Sequence, residues 1–396
     1  MTQLPPNATI GIVGGGQLGR MSALAAARLG YRCHILTDDA HSPAAQVAAA
    51  TTIGAYDDPK TLRDFAAHVD VVTFEFENVS AAGLDLLASL KPVRPSPEVL
   101  RISQDRVLEK TFLNQAGIAP APWRPVESPQ DLQNAAHALG LPAILKTTRL
   151  GYDGRGQRRL TPTDNLPEAF AALAPTPLIL EGLIDFACEI SVLVARGING
   201  DIATFDAVEN RHRHHILDLT LAPARIPEAT AAAAQKIAHT IAQQIDLIGL
   251  LAVEMFIDAS GAVLVNELAP RPHNSGHWTI DACPASQFEM HIRAVAGLPL
   301  PPATRHSDAV MKNLVGPEET ALWPQILATP GLIPHLYGKT DPRPGRKMGH
   351  VTRLFPRGSL PGEFGIADAL GGLGERKQGQ GAALDPLGPE APDPHS

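Results

Sequence analysis

The chain has 396 residues, 44% of them hydrophobic and 19% charged, with a net charge of -8, so it can bury more than one core and carries no basic footprint for a nucleic-acid backbone. Cys33, Cys188 and Cys283 are too few and too scattered for a disulfide framework, and no window approaches the roughly 18 apolar residues of a membrane helix. The opening residues lack a charged segment followed by a long apolar run, so no signal peptide is expected and the expected compartment is the cytoplasm.

In chain order, TIGIV (9–13) reads as a short buried strand, GGGQLG as a glycine loop, and residues 17–29 as a helix by their apolar spacing. YRCHILT is a second strand ending at Asp38 and Asp39, VDVVTFEFE is a third, and helices are expected over 80–90 and 97–116. This βαβ alternation predicts a Rossmann-like parallel-sheet domain over residues 1–117. GIAPAPWRPVESP reads as a proline-rich linker. PAILKTT, the loop and strand of RLGYDGRGQRRL, and PLILEGLI predict a small α+β unit over 118–185. CEISVLVARG, DIATFDAVE, a helix over 228–246 and the hairpin GLLAVEMFIDASGAVLVNELAP predict a larger unit over 186–300. Further strands and a short helix predict a C-terminal domain over 301–375, followed by a disordered tail over 376–396.

Gly14-x-Gly16-x-x-Gly19 lies between a strand and a helix, with Asp38 roughly 20 residues on, which fits a dinucleotide fingerprint. Glycines let a ligand approach the backbone and a helix N-terminus favours any phosphate, so a phosphate is the firmer expectation than a nicotinamide. A tight turn with no ligand is the alternative.

Glu254 lies inside an apolar strand and Glu267 ends the next, with the turn DASG between them. If the loop has an even number of residues, the two carboxylates share a face about 5–8 Å apart. Two like charges that close ask for a cation, and an all-oxygen set suits Mg²⁺, with Asn266 able to add an oxygen. A solvent-facing hairpin with two unrelated glutamates is the alternative. Lys146 sits among the apolar strand residues of AILKTT and can meet a phosphate as a point charge. The glycine-bearing loop GYDGRGQ that follows reads as a lid over a nucleotide, or else as an exposed hairpin tip. Glu181 ends a strand in LILEGLI, a segment that can hold adenine through its backbone and ribose through its carboxylate. NELAPRPHNSGHWTID (266–281) crowds Arg271, His273, Asn274 and His277 onto one turn.

Lys146, the lid, EGLI, Glu189, and Glu254 with Asn266 and Glu267 together resemble the ATP-grasp superfamily. GGGQLGRM, TFEFENV, GYDGRGQ, NELAPRPHNSGHWT, SQFEMHIRA and RPGRKMGH narrow the resemblance to the 5-(carboxyamino)imidazole ribonucleotide synthase family of purine biosynthesis, over residues 10–355. The resemblance implies an ATP-grasp fold with an N-terminal Rossmann-like domain and a small C-terminal domain. It implies a ligase that phosphorylates bicarbonate with ATP and carboxylates 5-aminoimidazole ribonucleotide, working as a homodimer. By motif, Arg106, Lys146, the lid residues Gly151, Tyr152, Asp153, Gly154, Arg155, Gly156 and Gln157, the segment Glu181, Gly182, Leu183 and Ile184, and Glu189 and His212 would contact ATP. Glu254 and Glu267 would hold Mg²⁺ with Asn266 beside the phosphates. Gln17, Leu18, Glu75, Tyr152, Arg346 and Lys347 would address the ribonucleotide, and Arg271, His273 and Asn274 the carboxyphosphate, with Arg271 also touching the ribonucleotide. Asp153 would take the amine proton and Lys347 completes the catalytic set.

ENRHRHHIL departs from the family pattern at His214 and His215, where a solvated loop is preferred to a metal-binding tract. A nicotinamide oxidoreductase built on the glycine loop, a non-catalytic nucleotide sensor and a formate-using purine transformylase are the competing readings.

Overall fold

The fold is given by a computed structural model, which describes residues 2–150 and 156–373. The expected lid residues Gly151 to Arg155 and the expected tail 376–396 lie outside the described residues.

Thr9–Val13 (β1) is an unbroken apolar run, as a strand covered on both faces requires, and is buried along nearly all its length. It lies between Arg32–Thr37 (β2) and Val71–Phe74 (β4), with Ala50–Ile53 (β3) at the edge, in a parallel sheet of order β3-β2-β1-β4. β3 and the helix Pro59–Ala66 were not expected. That helix is started by Asp58, whose carboxylate accepts from the Thr61 amide, with a proline at its first position. The helix expected over 97–116 is two, Pro97–Gln104 and Arg106–Gln115. Asp105 separates them in an extended conformation, its side chain capping the amides of Val107 and Leu108.

A second sheet contains Trp123–Val126 (β5), Ala143–Thr147 (β6), Gln157–Leu160 (β7) and Leu178–Gly182 (β8) in the antiparallel order β5-β8-β6-β7. The expected linker therefore carries a strand. Pro125 is tolerated because β5 is an edge strand, where a missing N–H leaves no ladder bond unmade.

The third sheet has nine strands: Phe186–Arg196 (β9), Ile202–Thr204 (β10), Val208–Arg213 (β11), Ile216–Ala222 (β12), Gly249–Asp258 (β13), Val263–Ala269 (β14), Asp308–Val315 (β15), Leu332–Leu336 (β16) and Lys347–Phe355 (β17). Its order is β14-β13-β9-β11-β12-β15-β17-β16, with β10 beside β9. DIATFDAVE thus forms two strands rather than one. The sheet continues without a break across residue 300, because β15 pairs with β12. Three short helices, Gly316–Thr320, Trp323–Ala328 and Gly365–Ala369, occur where one was expected.

One face of this sheet is covered by the helix Glu228–Gln244, whose Ala234, Ala238 and Ile241 pack on Val192, Val194, Leu251 and Val253. The helix Gln287–Ala296 serves two cores at once. Met290 packs with Leu250, Ala252 and Trp278 of the large sheet, while Ile292 and Val295 pack with Ile10 and Val71 of the N-terminal sheet. It fixes the two sheets to each other, and the candidate site lies where their ends and the second sheet converge.

Candidate functional site

The hairpin β13–β14 supplies the centre. Asp258 closes its turn by accepting from the amides of Ser260 (2.8 Å) and Ala262 (3.0 Å). The ladder then pairs Ile257 with Val263 and Met255 with Val265, a register that on its own would set Glu254 across from Asn266. A bulge intervenes, and Glu254 pairs with Glu267. Asn266 is the extra residue, so Asn266 and Glu267 together oppose Glu254. The parity of the turn does not bring the carboxylates together; the bulge does.

Glu267 is exposed at the open side of the cleft, and its carboxyl is pushed above the usual range by the surrounding protein and then by the charge on Glu254. Glu254 behaves oppositely. Burial works to raise it, but His273, with His212 and Lys347 beyond, holds it down to about 2. His273 Nε2 is 3.0 Å from a Glu254 oxygen. Glu189 pairs with His212 Nδ1 on the neighbouring strands β9 and β11, and Glu189, His212, Glu254 and Asn266 line one crevice.

The second sheet contributes a charged trio. Glu181 on β8 is buried, with Lys146 Nζ of β6 at 2.7 Å from one oxygen and Lys110 Nζ at 3.3 Å from the other. Burial would raise its carboxyl, yet the two ammoniums hold it at about 2. Lys110 also donates to the Asn266 carbonyl at 3.2 Å, tying this trio to the bulge. Arg106 opens its helix against the end of β6, with Nη1 donating to the Thr147 carbonyl at 3.0 Å. Gly156 and Gln157 lead into β7 beside Lys146, and Gly182, Leu183 and Ile184 join β8 to β9.

The turn after β14 holds Arg271 in an ion pair with Glu77 and His273 against Ser275. Ser275 is fixed from below by Ser191 (2.7 Å), which takes a bond from Asn210 (2.9 Å). Asn274 is buried, and neither atom of its side-chain amide has a hydrogen-bond partner among the described residues. Such an amide is uncommon in a native interior and marks a place for a polar ligand.

The glycine loop departs from expectation. The carboxylate of Glu75 accepts from the amides of Gly16 and Gly19, the latter at 2.7 Å. A Cβ on Gly16 would stand 2.6 Å from a Glu75 oxygen. The anion cradled at this helix N-terminus is the protein's own side chain, which removes the basis for a pyrophosphate there and for the nicotinamide reading. Glu75 is buried, which pushes its carboxyl up against the pull of those amides, Arg271 and Lys339. Gln17 and Leu18 form the first turn of the helix Gln17–Arg28. Leu18 packs with Met21, Phe288 and Tyr337, so its main chain is what it can offer a ligand.

Across from Glu75, Lys347 begins β17 and Arg346 precedes it, its Nη1 donating to the Asp341 carbonyl at 2.8 Å. Lys339 completes this basic wall, donating to the Lys347 carbonyl at 2.7 Å. Sequence reasoning passed over Lys339, Glu77, Glu109 and Lys110. Charged residues at the apolar-facing positions of SQDRVLEK were the available signal for Glu109 and Lys110, both buried.

Residues 7–104 match the ribonucleotide synthetase preATP-grasp domain, 111–288 the ATP-grasp domain, and 309–357 the phosphoribosylaminoimidazole carboxylase C-terminal domain. A Brucella melitensis protein named N5-carboxyaminoimidazole ribonucleotide synthase is 52% identical over 358 residues, covering 90% of this chain and 99% of that one. The chain belongs to the N5-carboxyaminoimidazole ribonucleotide synthase family. It is an ATP-grasp ligase, with the fold the resemblance implied. An ADP complex of a synthetase of this family superposes with a TM-score of 0.88 at 40% identity, covering 94% of this chain and 97% of that one. The Aspergillus clavatus synthase, described in complex with ADP and 5-aminoimidazole ribonucleotide, superposes at 0.84 with 32% identity, covering 93% and 97%. No helix among the described residues is long and apolar enough to cross a membrane.

Proposed function

We propose that this chain carboxylates the exocyclic amine of 5-aminoimidazole ribonucleotide at the expense of ATP and bicarbonate, in the synthesis of purines. The γ-phosphoryl group passes to a bicarbonate oxygen, leaving ADP and carboxyphosphate. The amine nitrogen then bonds to the carboxyl carbon as phosphate leaves, and the amine proton goes to a base, the role assigned to Asp153. The observation that carries this reading is the bulge at Asn266, which sets two carboxylates opposite each other beside His273 and the unpartnered amide of Asn274.

Two facing carboxylates fit a divalent cation, and Glu254 and Glu267 would hold Mg²⁺. Bound there, Mg²⁺ would neutralise charge on the triphosphate. Lys146 and Arg106 face the phosphates, with Glu181 orienting Lys146 through their ion pair. The segment 181–184, Glu189 and His212 hold the nucleoside, and Gly156 and Gln157 anchor the lid. Arg271 and Asn274 donate to the carboxyphosphate, and His273 is oriented towards it by Glu254 and Ser275. Lys347, Arg346 and Lys339 take the ribonucleotide phosphate, opposite Gln17, the Leu18 main chain and Glu75. A closed lid would protect carboxyphosphate from water. A homodimer, carried over from the resemblance, and the cytoplasmic location expected from the sequence complete the reading, and light scattering tests the dimer.

The test is ADP formation with ATP, bicarbonate and the ribonucleotide each omitted in turn. The expected result is release that needs all three and that formate does not restore in place of bicarbonate. ADP release indifferent to the ribonucleotide would overturn the substrate, and support by formate would favour the transformylase.

A further inference from the structure

Behind the turn that carries His273, imidazole rings and a carboxylate meet where the C-terminal hairpin joins the rest of the chain. His335 on β16 and His350 on β17 are cross-strand neighbours, with rings stacked at 4.5 Å between centroids. Asp281, in the short helix Thr279–Ala282, places its carboxylate oxygens 3.0 and 3.2 Å from His335 Nε2. One donor atom from each of Asp281, His335 and His350 falls within 4.8 Å of the others. None of the three has a part in the reaction above.

A separate observation points to a ligand. His350 is wholly buried, its Nδ1 lies 2.9 Å from the Tyr337 hydroxyl, and its Nε2 has no partner among the described residues. The His277 ring lies 4.8 Å from it, and His277 Nε2 is likewise without a partner. Burying such a nitrogen unsatisfied is costly, and a bound cation would offset that cost.

We propose that Asp281, His335 and His350 form a binding site for a zinc-class divalent cation, which clasps the hairpin β16–β17 to the segment following His273. Two imidazole nitrogens and one carboxylate oxygen are the mixed donor set zinc takes, whereas magnesium prefers oxygen alone. Metal–ligand bonds of about 2.0–2.2 Å put tetrahedral ligands roughly 3.3 Å apart. The Asp281–His335 gap of 3.0–3.2 Å already meets that spacing. The wider separation, at most 4.8 Å, closes when the part-exposed His335 ring turns out of its stack on His350, whose own ring stays held by Tyr337, and the fourth position is left to water. The Tyr337 hydroxyl orients His350 from its far nitrogen, as outer partners of metal-bound histidines do. The 27% exposure of the His335 side chain leaves an entry path. The hairpin so clasped carries Lys347 and leads through Lys339, so the cation would steady the basic wall of the cleft.

Titrating Zn²⁺ into the chelator-stripped full chain, without nucleotide and against a chromophoric competitor, tests this. One equivalent is expected, accompanied by a rise in the thermal midpoint and, with Co²⁺, by tetrahedral visible absorption. His335→Gln and Asp281→Asn should each weaken binding at least tenfold and lose the Co²⁺ spectrum. Glu254→Gln and the double change His214→Ala/His215→Ala should leave both intact. If His335→Gln fails to fold by circular dichroism, Asp281→Asn decides alone. Unchanged affinity in Asp281→Asn, loss in Glu254→Gln instead, or no saturable binding would each overturn the proposal. None of these outcomes bears on the carboxylation, which is read without zinc.

Discussion

Lys110→Met isolates what holds Glu181, and through it Lys146, in place. Lys110 is wholly buried, with Nζ 3.3 Å from Glu181 and 3.2 Å from the Asn266 carbonyl. Methionine is unbranched and adapts to irregular gaps, so the change removes a charge with little cavity. Breaking a buried ion pair costs about 3–5 kcal/mol because the other charge stays behind, and with Lys146 still at 2.7 Å the lower end applies, about 3 kcal/mol. Read locally, as hydrogen exchange of the β8 amides, that is roughly a hundredfold faster opening. Adding Glu181→Gln should restore most of the protection, since the uncompensated charge is then gone. The pH dependence has a definite sign. Glu181 sits at about 2, below its ordinary 4.5, so its contribution is complete above 4.5 and is lost as the pH falls towards 2. In Lys110→Met the folded-state value rises towards 4.5, so that loss should be smaller and finish at higher pH. Exchange of β8 within threefold of the parent, or a double variant no better protected than the single, would refute the reasoning.

Three further outcomes follow from the site. Glu267→Gln should abolish ADP formation while leaving the thermal midpoint unchanged or higher, because it relieves a like-charge pair; retained turnover would reject the metal role. Asn274→Ala removes an amide that has no partner among the described residues, so stability should hold while kcat/KM for bicarbonate falls about 10²-fold or more; equal losses in both would mark a structural residue. Burial, aided by Arg346 and Lys347, lowers Lys339 to about 8, so its cation is present below that pH and lost above it. The KM for the ribonucleotide should therefore rise above about pH 8 and do so later in Lys339→Arg, whereas a flat profile would exclude Lys339 from phosphate binding.

The parts of the site legible in the sequence are those whose chemistry is local. Prolines and glycines punctuate the turn 266–277, and a lone lysine directly after Ile144 and Leu145 stands out in an apolar strand. What escaped depends on partners far along the chain. Glu75 fills the glycine loop from 59 residues away, and nothing in GGGQLG distinguishes that from a bound phosphate. Pro125 argues against a strand until β5 is known to be an edge. The bulge at Asn266 was invisible because alternation along β13 and β14 cannot show one inserted residue. Asp105 split a helix by capping, a choice that apolar periodicity does not report.

The ladder joining β12 to β15 also governs what shortened forms of this chain can do. A product ending near residue 300 would keep every group assigned to ATP yet bare the Leu219–Ala222 edge, along with the apolar side of Leu221 that Val310 and Val351 otherwise cover. An open edge of that kind recruits other chains. Premature termination there would yield aggregates rather than a compact ATPase, so the nucleotide-handling half cannot be harvested as an independent module.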